Sequence, residues 1–328
     1  MKNNIDYLVS VRCFTFNHAP YIEDTLNGFV LQETNFPYVC IIVDDASTDG
    51  EPNVIKRYLE SHFCTESNDS TVHEDTNDYD YYFTQHPFNK NCYFAVYLLK
   101  NNHYGSNEKE ERKYSYFSQF FDDVKYHAIC EGDDYWIYPK KLQKQVDFME
   151  NHPEYSMCFH NAVLFFDDSP KPPKLFNSIE ENKEITLESL ITQWIVPTAS
   201  MLYRSSCLPL YPVKERIVSG DWWRILHFAG CGKVWAFKDV MSMYRMTYFS
   251  DSETSRNKNN GAFMCYQRHH ILDCFDEYTQ FKYHDIVGKY SKFWYDYSVF
   301  TRRKNKSLLW AVLSMPIFSL KKILKKSL

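Results

Sequence analysis

The stretch ICEGDDYWIYPKKLQKQV, residues 129–146, places Glu131, Asp133 and Asp134 within four positions, between an apolar run and an aromatic pair. A second acidic pair, Asp44 and Asp45, closes the apolar run YVCIIVDD and is followed by the turn formers Ser47, Thr48, Asp49 and Gly50. Carboxylates gathered so closely repel one another unless a cation or a matching ligand compensates them. Two chemistries fit. A hard divalent ion is commonly held by one or two carboxylates together with the phosphates of a substrate. An acid at the end of a buried strand can instead accept hydrogen bonds from a ribose hydroxyl or a base N–H. The plainer reading is open for both pairs as well: acids that cap the following helix or turn and face water.

The flanking residues supply the elements that would position these acids. YLVSVRCFTF (7–16) is short, β-branched and aromatic, as expected of a strand buried on both faces. NHAPYIEDTLNGFVLQ then predicts a helix, with Asn17 or His18 as cap, Pro20 in the first turn, and Ile22, Leu26, Phe29 and Val30 on one face. YVCIIVDD followed by VIKRYLE repeats the strand-then-helix pattern, and YHAIC (126–130) reads as a further central strand before a helix beginning near Pro139. Successive βα units predict a parallel sheet, whose ligands sit at the carboxyl ends of its strands. Both acidic pairs are therefore expected at one sheet edge. Residues 64–80, with six acids and no Lys or Arg, read as a solvated loop.

Composition narrows the partners. The 328 residues carry a net charge of -5, and residues 301–328 alone contribute +8, leaving -13 on the remainder. So acidic a body argues against a nucleic-acid partner, which needs Lys and Arg clustered along a docking face. The ten cysteines are scattered singly, and the N-terminus lacks the apolar stretch of a signal peptide, so reduced thiols and a cytoplasmic location are expected. His269, His270 and Cys274 lack the further ligands and spacing of a zinc site. LLWAVLSMPIFSL (308–320) is shorter than the roughly 20 residues of a membrane span. Two readings stand for residues 302–328: a basic helix lying on an anionic bilayer at the inner face of the plasma membrane, or a helix packed on the body.

In this order, VSVRCFTFNHAPYIEDTLNGFVLQ, CIIVDDASTDG, ICEGDDYWIYPKKLQKQ, VPTASMLYR and SGDWWRILHFAGCGKVWAFKDVMSMYR resemble glycosyltransferase family 2 over about residues 7–248. The likeness is greatest to bacterial members that build surface polysaccharides. It implies the GT-A fold, an α/β architecture with a Rossmann-like, mixed but mostly parallel sheet flanked by helices. The expected domains are 1–250 for the transferase and 251–328 for a helical C-terminal extension. The resemblance also implies a metal-dependent, inverting transfer from a nucleotide-diphosphate sugar, with a UDP-sugar the expected donor, to a glycan or lipid-linked acceptor. Mn²⁺ or Mg²⁺ is the implied cofactor.

Carried over by position, the family's nucleotide-binding residues fall on Thr15, Asn17 and Asp44, with Asp45 beside it. Its D-x-D metal motif falls on Glu131-Gly132-Asp133. Asp133 is then the expected metal ligand, Glu131 reaches the donor through water or a sugar hydroxyl, and Asp134 shares either task. The family's catalytic base falls on Asp221 in SGDWWRIL, where the commonly paired Glu is replaced by Gly220; a helix cap is the other role open to Asp221. VPTASMLYR is either an edge strand or an acceptor-side segment. Trp194 and Trp222 or Trp223 are expected to stack on sugar rings or to sit in the core. The family often has a His two residues after the Arg of its YR motif, where this chain has Thr247, so Arg245 or the metal would carry the positive charge near the diphosphate.

Two rival readings have their own signatures. A sugar nucleotidyltransferase would carry a Gly-rich, basic phosphate loop after the first strand, and CFTFNHAP is not one. An inactive sugar- or nucleotide-binding scaffold would be marked by loss of Asp133 or Asp221, and both are present.

Overall fold

A computed structural model of the chain describes residues 5–63, 71–105, 107–167, 169–208, 220–246 and 261–303. Its contacts group into two units. The first runs to Ile185 and adds Ile195–Leu208 and Gly232–Met246. It holds β1 (Val9–Thr15), α1 (Ile22–Val30), β2 (Tyr38–Asp44), α2 (Glu51–His62), β3 (Val72–Asp75), β4 (Tyr79–Gln85), β5 (Cys92–Leu99) and α3 (Asn107–Phe121). After these come β6 (Tyr126–Ile129), β7 (Tyr135–Trp136), α4 (Lys141–Asn151), β8 (Tyr155–Phe166), β9 (Lys174–Leu175), β10 (Lys183–Ile185), β11 (Leu202–Arg204) and β12 (Lys233–Met246).

One sheet joins these strands in the order β10-β12-β8-β11-β6-β1-β2-β5-β4-β3, with β7 on β12 and β9 on β8. The centre, β6-β1-β2-β5, is parallel, as the βα pattern requires. Successive side chains point to opposite faces. Val9, Val11, Cys13, Cys40 and Ile42 accordingly pack with Leu26 and Phe29 of α1, Ile55 and Leu59 of α2, and Leu142 and Val146 of α4. Val39, Ile41 and Val43 pack with Phe117, Phe120 and Phe121 of α3. Because both faces are covered, β2 and β5 read as nearly unbroken apolar runs, whereas β1 and β6 bury Ser10, Arg12 and His127 within theirs. The sheet flanked by helices is that of the GT-A fold.

Several expectations are revised. Helix α1 starts at Ile22 with Tyr21 before it and no side-chain cap, because Asn17 and His18 are held in the preceding loop by bonds to the β2–α2 segment. Residues 72–75, expected as loop, pair with β4 as an exposed edge strand. Within VPTASMLYR, Leu202–Arg204 is an interior strand between β6 and β8, not an edge.

The second unit contains α5 (Leu187–Thr192), α6 (Gly220–Cys231), α7 (Gly261–Tyr278) and α8 (His284–Arg303). The contacts therefore do not divide at residue 250 as expected. Helix α6 groups with the C-terminal helices because Trp223 packs on Tyr278, with ring centroids 6.2 Å apart, and Gly230 faces the ring of Phe275. Among the described residues no helix is long and apolar enough to cross a membrane. The basic stretch 304–328, to which both the membrane-surface and the packed-helix readings belong, lies outside the described residues.

Gly28 marks the tightest helix-to-strand approach: a Cβ there would lie 2.8 Å from the backbone nitrogen of Trp136 and 2.9 Å from its carbonyl oxygen. Alanine is the better helix former by about 1 kcal/mol. The collision with unyielding backbone should outweigh that gain, and overpacking of this kind costs about 1–3 kcal/mol. Gly28→Ala is expected to lower the thermal unfolding midpoint; an unchanged or raised midpoint in a melting experiment would show that α1 and β7 can separate freely.

Candidate active site

The parallel register sets Thr15 at the end of β1 beside Asp44 at the end of β2, and Arg12 beside Ile129 of β6. The loops leaving these three strands consequently emerge together. Two of them adopt left-handed backbone at non-glycine residues, Asn17 (φ 57°) and Ala46 (φ 61°), conformations that surrounding bonds must hold in place. Asn17 Oδ1 accepts the Thr48 amide at 2.8 Å, and the Asn17 amide donates to Ser47 Oγ at 2.8 Å.

Beneath them lies Glu51, fully buried at the first turn of α2. Its Oε2 accepts the His18 amide at 2.8 Å and Ser47 Oγ at 2.9 Å, and its Oε1 accepts the Thr15 hydroxyl. Thr15 Oγ1 also contacts His18 Nδ1 at 3.1 Å. Gly132 completes the packing, since a Cβ at that position would fall 2.1 Å from Thr15 Oγ1. Any side chain there would displace Thr15.

Asp44 is fully buried. Its Oδ2 accepts the Ser47 amide at 3.1 Å, whereas Oδ1 has no partner. Burial raises its carboxyl from 3.8 to about 6, against the lowering effect of the Ser47 bonds. Asp45 turns the other way: Oδ1 accepts the His103 amide at 2.7 Å, and Oδ2 lies 3.4 Å from Lys113 Nζ. That lysine is itself buried over the ring of Phe14 and paired with Glu110 at 2.9 Å.

The three acids after β6 meet three different environments. Glu131 points inward, with Oε1 3.2 Å from Arg12 and Oε2 accepting the Phe14 amide at 3.0 Å. Asp134 is buried, and its Oδ1 accepts the Arg245 amide at 2.9 Å. Burial, and then the neighbouring Asp133 charge, push its carboxyl well above the usual range. Asp133 is the open one, its side chain 40% exposed and Oδ2 3.9 Å from His18 Nε2.

Two expectations need correction here. Asp134 is buried with its Oδ1 taken by the Arg245 amide of β12, whereas Asp44 keeps an oxygen without a partner, so Asp134 serves the fold rather than offering an acceptor. Arg245, expected as a cation near the diphosphate, is not an open one. It is buried, donates to the Asp133 carbonyl at 3.0 Å, pairs with Asp24 at 2.9 Å and Asp167 at 3.1 Å, and lies over the ring of Tyr21 at 4.3 Å. It clamps the Asp133-Asp134 turn from below.

In the second unit, Asp221 stands in the first turn of α6, 40% exposed, with Oδ1 2.9 Å from Arg224. Trp194 is half exposed. Trp222 is buried and its Nε1 donates to the Leu190 carbonyl at 3.0 Å, so the expected stacking of this ring on a sugar is corrected to a place in the core. The sequence reading missed Glu51, Arg12, Lys113 and His103, and took His18 only for a cap. Glu51 had a local signal, an acid directly after Gly50 at a helix start. The other partners lie too far apart in sequence for spacing to reveal them.

Known proteins resemble the chain in sequence and in fold. Residues 10–73 match the profile of glycosyl transferase family 2. TuaG of Bacillus subtilis, named for teichuronic acid biosynthesis as a glycosyltransferase, is 30% identical over 144 residues, 43% of this chain and 42% of that protein. An uncharacterised protein of Mycobacterium tuberculosis is 28% identical over 244 residues, 72% of this chain and 58% of that protein. The chain thus spans less than two thirds of the curated relatives it matches. Among solved structures, TarS of S. aureus in complex with UDP superposes with a TM-score of 0.53 at 14% identity, covering 96% of this chain and 77% of that one. The mannosyltransferase PcManGT of Pyrobaculum calidifontis, in complex with GDP-Man and Mn²⁺, gives 0.50 at 13% identity, covering 95% and 81%. With its acidic strand ends in the order of that family's motifs, the chain matches glycosyl transferase family 2 over residues 10–73 and has the GT-A fold.

Proposed function

We propose that the chain transfers a sugar from a nucleoside-diphosphate sugar, a UDP-sugar first among candidates, to a glycan or lipid-linked acceptor in surface polysaccharide synthesis, with inversion at the anomeric carbon. The observation that carries this reading is the pairing, at one sheet edge, of a buried acid with an unpartnered oxygen (Asp44) and an open acid (Asp133). TarS structures with UDP and UDP-GlcNAc and a PcManGT structure with GDP-Man support a nucleotide-sugar donor. TuaG supports a role in surface polysaccharide. The nine described cysteines are all free thiols, which supports the cytoplasmic location.

In this reading Asp44 Oδ1 accepts a hydrogen bond from the base or ribose, and Thr15, Asn17 and Asp45 hold the loops around it. Glu131 fixes its loop through Arg12, so that Asp133 faces the diphosphate. The donor set fits a hard divalent ion. Among the described residues no cluster of three or more His, Cys, Asp or Glu is preassembled, and one open carboxylate completed by phosphates and water is the usual way Mg²⁺ is bound. When bound, Mn²⁺ or Mg²⁺ would offset the charge that develops on the leaving diphosphate. Asp221 acts as the general base. It takes the proton of the acceptor hydroxyl as that oxygen attacks the anomeric carbon opposite the diphosphate, in a single displacement. The half-exposed Trp194 offers an apolar face to the acceptor.

Calorimetric titration with UDP, GDP and dTDP, with and without Mn²⁺, tests the donor site. Metal-dependent binding, strongest for UDP and lost in Asp133→Ala, is expected; a folded protein that binds none of the three would overturn the reading. Asp221→Asn should keep nucleotide affinity while lowering kcat by about 10²–10⁴-fold, the usual contribution of a general base. An unaltered kcat would return Asp221 to a plain helix-terminal role.

Asp44 links the donor site to pH. Its folded value, about 6, lies above the unfolded 3.8, so the folded chain binds the extra proton between those limits. Stability from this group is full at low pH and is lost as pH rises through about 6, a difference of about 3 kcal/mol. Asp44→Asn should therefore raise the unfolding midpoint at pH 7.5 and weaken UDP binding, and in the parent protein UDP affinity should fall as pH drops below about 6. A variant that binds UDP as before would remove Asp44 from the nucleotide site.

A further inference from the structure

We propose that His18 is the second protein ligand of the divalent ion, acting with Asp133, and that Thr15 and Glu51 set its ring for that task. The inference rests on the donor-site reading above and adds a residue to it. A carboxylate accepts only, so the bond between Thr15 Oγ1 and Glu51 Oε1 uses the single hydrogen of the threonine hydroxyl. Glu51 Oε2 is meanwhile fixed by the His18 amide and Ser47 Oγ. With its hydrogen spent, Thr15 Oγ1 can only accept in its 3.1 Å contact with His18 Nδ1, so Nδ1 carries the ring hydrogen. With the ring hydrogen on Nδ1, it is Nε2 that can offer a lone pair to a metal, while the other nitrogen is anchored by a hydrogen bond.

The nearness of Nε2 to Asp133 gives the inference its weight. Nε2 lies 3.9 Å from Asp133 Oδ2, and both side chains reach solvent. Neighbouring ligands of an octahedral ion at about 2.1 Å stand about 3 Å apart, so a turn of the exposed Asp133 side chain that brings Oδ2 about 1 Å nearer lets a single ion touch both. The His18 ring rests beside Tyr21, with centroids 6.5 Å apart, and a Cβ at position 132 would press on Nδ1 at 3.1 Å, so the absence of a side chain at Gly132 preserves the ring's seat.

Pulsed electron paramagnetic resonance of Mn²⁺ bound to the full chain with UDP tests the inference without relying on activity. Coupling of the ion to a coordinated imidazole nitrogen is expected in the parent protein and should vanish in His18→Gln. Mn²⁺ affinity in the presence of UDP should fall at least about 10-fold in His18→Gln and by a smaller factor in Thr15→Val, which frees the ring. If the parent Mn²⁺–UDP complex shows no nitrogen coupling, the proposal is overturned whatever the variants do. If UDP binding needs Mn²⁺ and is lost in Asp133→Ala but unchanged in His18→Gln, His18 is no ligand and the donor site stands. Should neither UDP, GDP nor dTDP bind with Mn²⁺, both readings fall together.

Discussion

A carboxylate removed from water must be compensated by a cation or by donated hydrogen bonds, and the edge of this sheet holds five such groups in a small space. Each has its own answer. Glu131 has Arg12 and the Phe14 amide, Asp45 has Lys113 and the His103 amide, Asp134 has the Arg245 amide, and Glu51 collects bonds from Thr15, His18 and Ser47. Asp44 alone among them keeps a buried oxygen without a partner. The loops take their courses from these pairings: the β1 loop is bent to reach Glu51, and the turn after β6 is drawn onto β12. Asp133 stays open because its neighbours on either side are tied down.

The pairings also separate residues that act on a ligand from residues that hold others still. Arg12, Lys113 and Arg245 are cations among these acids, and each is buried and turned to a carboxylate or an aromatic ring. Their positive charge offsets fixed acids rather than meeting phosphate. Any divalent ion therefore matters more here than it would in a site that offered an open arginine.

Much of this was legible in the chain before any coordinates. The apolar runs ending in Asp44-Asp45 and in Glu131–Asp134 were strands because their side chains are covered on both faces, and parallel pairing then forced the acids together. The positions of Thr15, Asn17 and Asp133 followed from the family's order of motifs. What stayed hidden was pairwise. That Asp134 meets Arg245, or Asp45 meets Lys113, depends on which strands are neighbours, and nothing in the spacing of Lys113 or Arg245 announces it. The start of α1 was misjudged for the same reason: Asn17 and His18 look like caps in isolation, but distant acceptors in the β2–α2 segment hold them. Trp222 was open to two readings on residue type alone, and its bond to Leu190 decided for the core.

Strand β12 has a consequence in time as well as in space. The turn bearing Asp133 is fixed by Arg245, whose amide reaches Asp134 across 111 positions of sequence. On a ribosome the strands β1, β2 and β6 emerge long before β12, and contacts of such high sequence separation form late because loop closure must precede them. Until residue 245 is available, Asp134 lacks the amide that it accepts from and the Asp133 carbonyl lacks its guanidinium donor, so this edge of the sheet is completed last. A nascent chain can thus acquire most of its core before it acquires a settled Asp133.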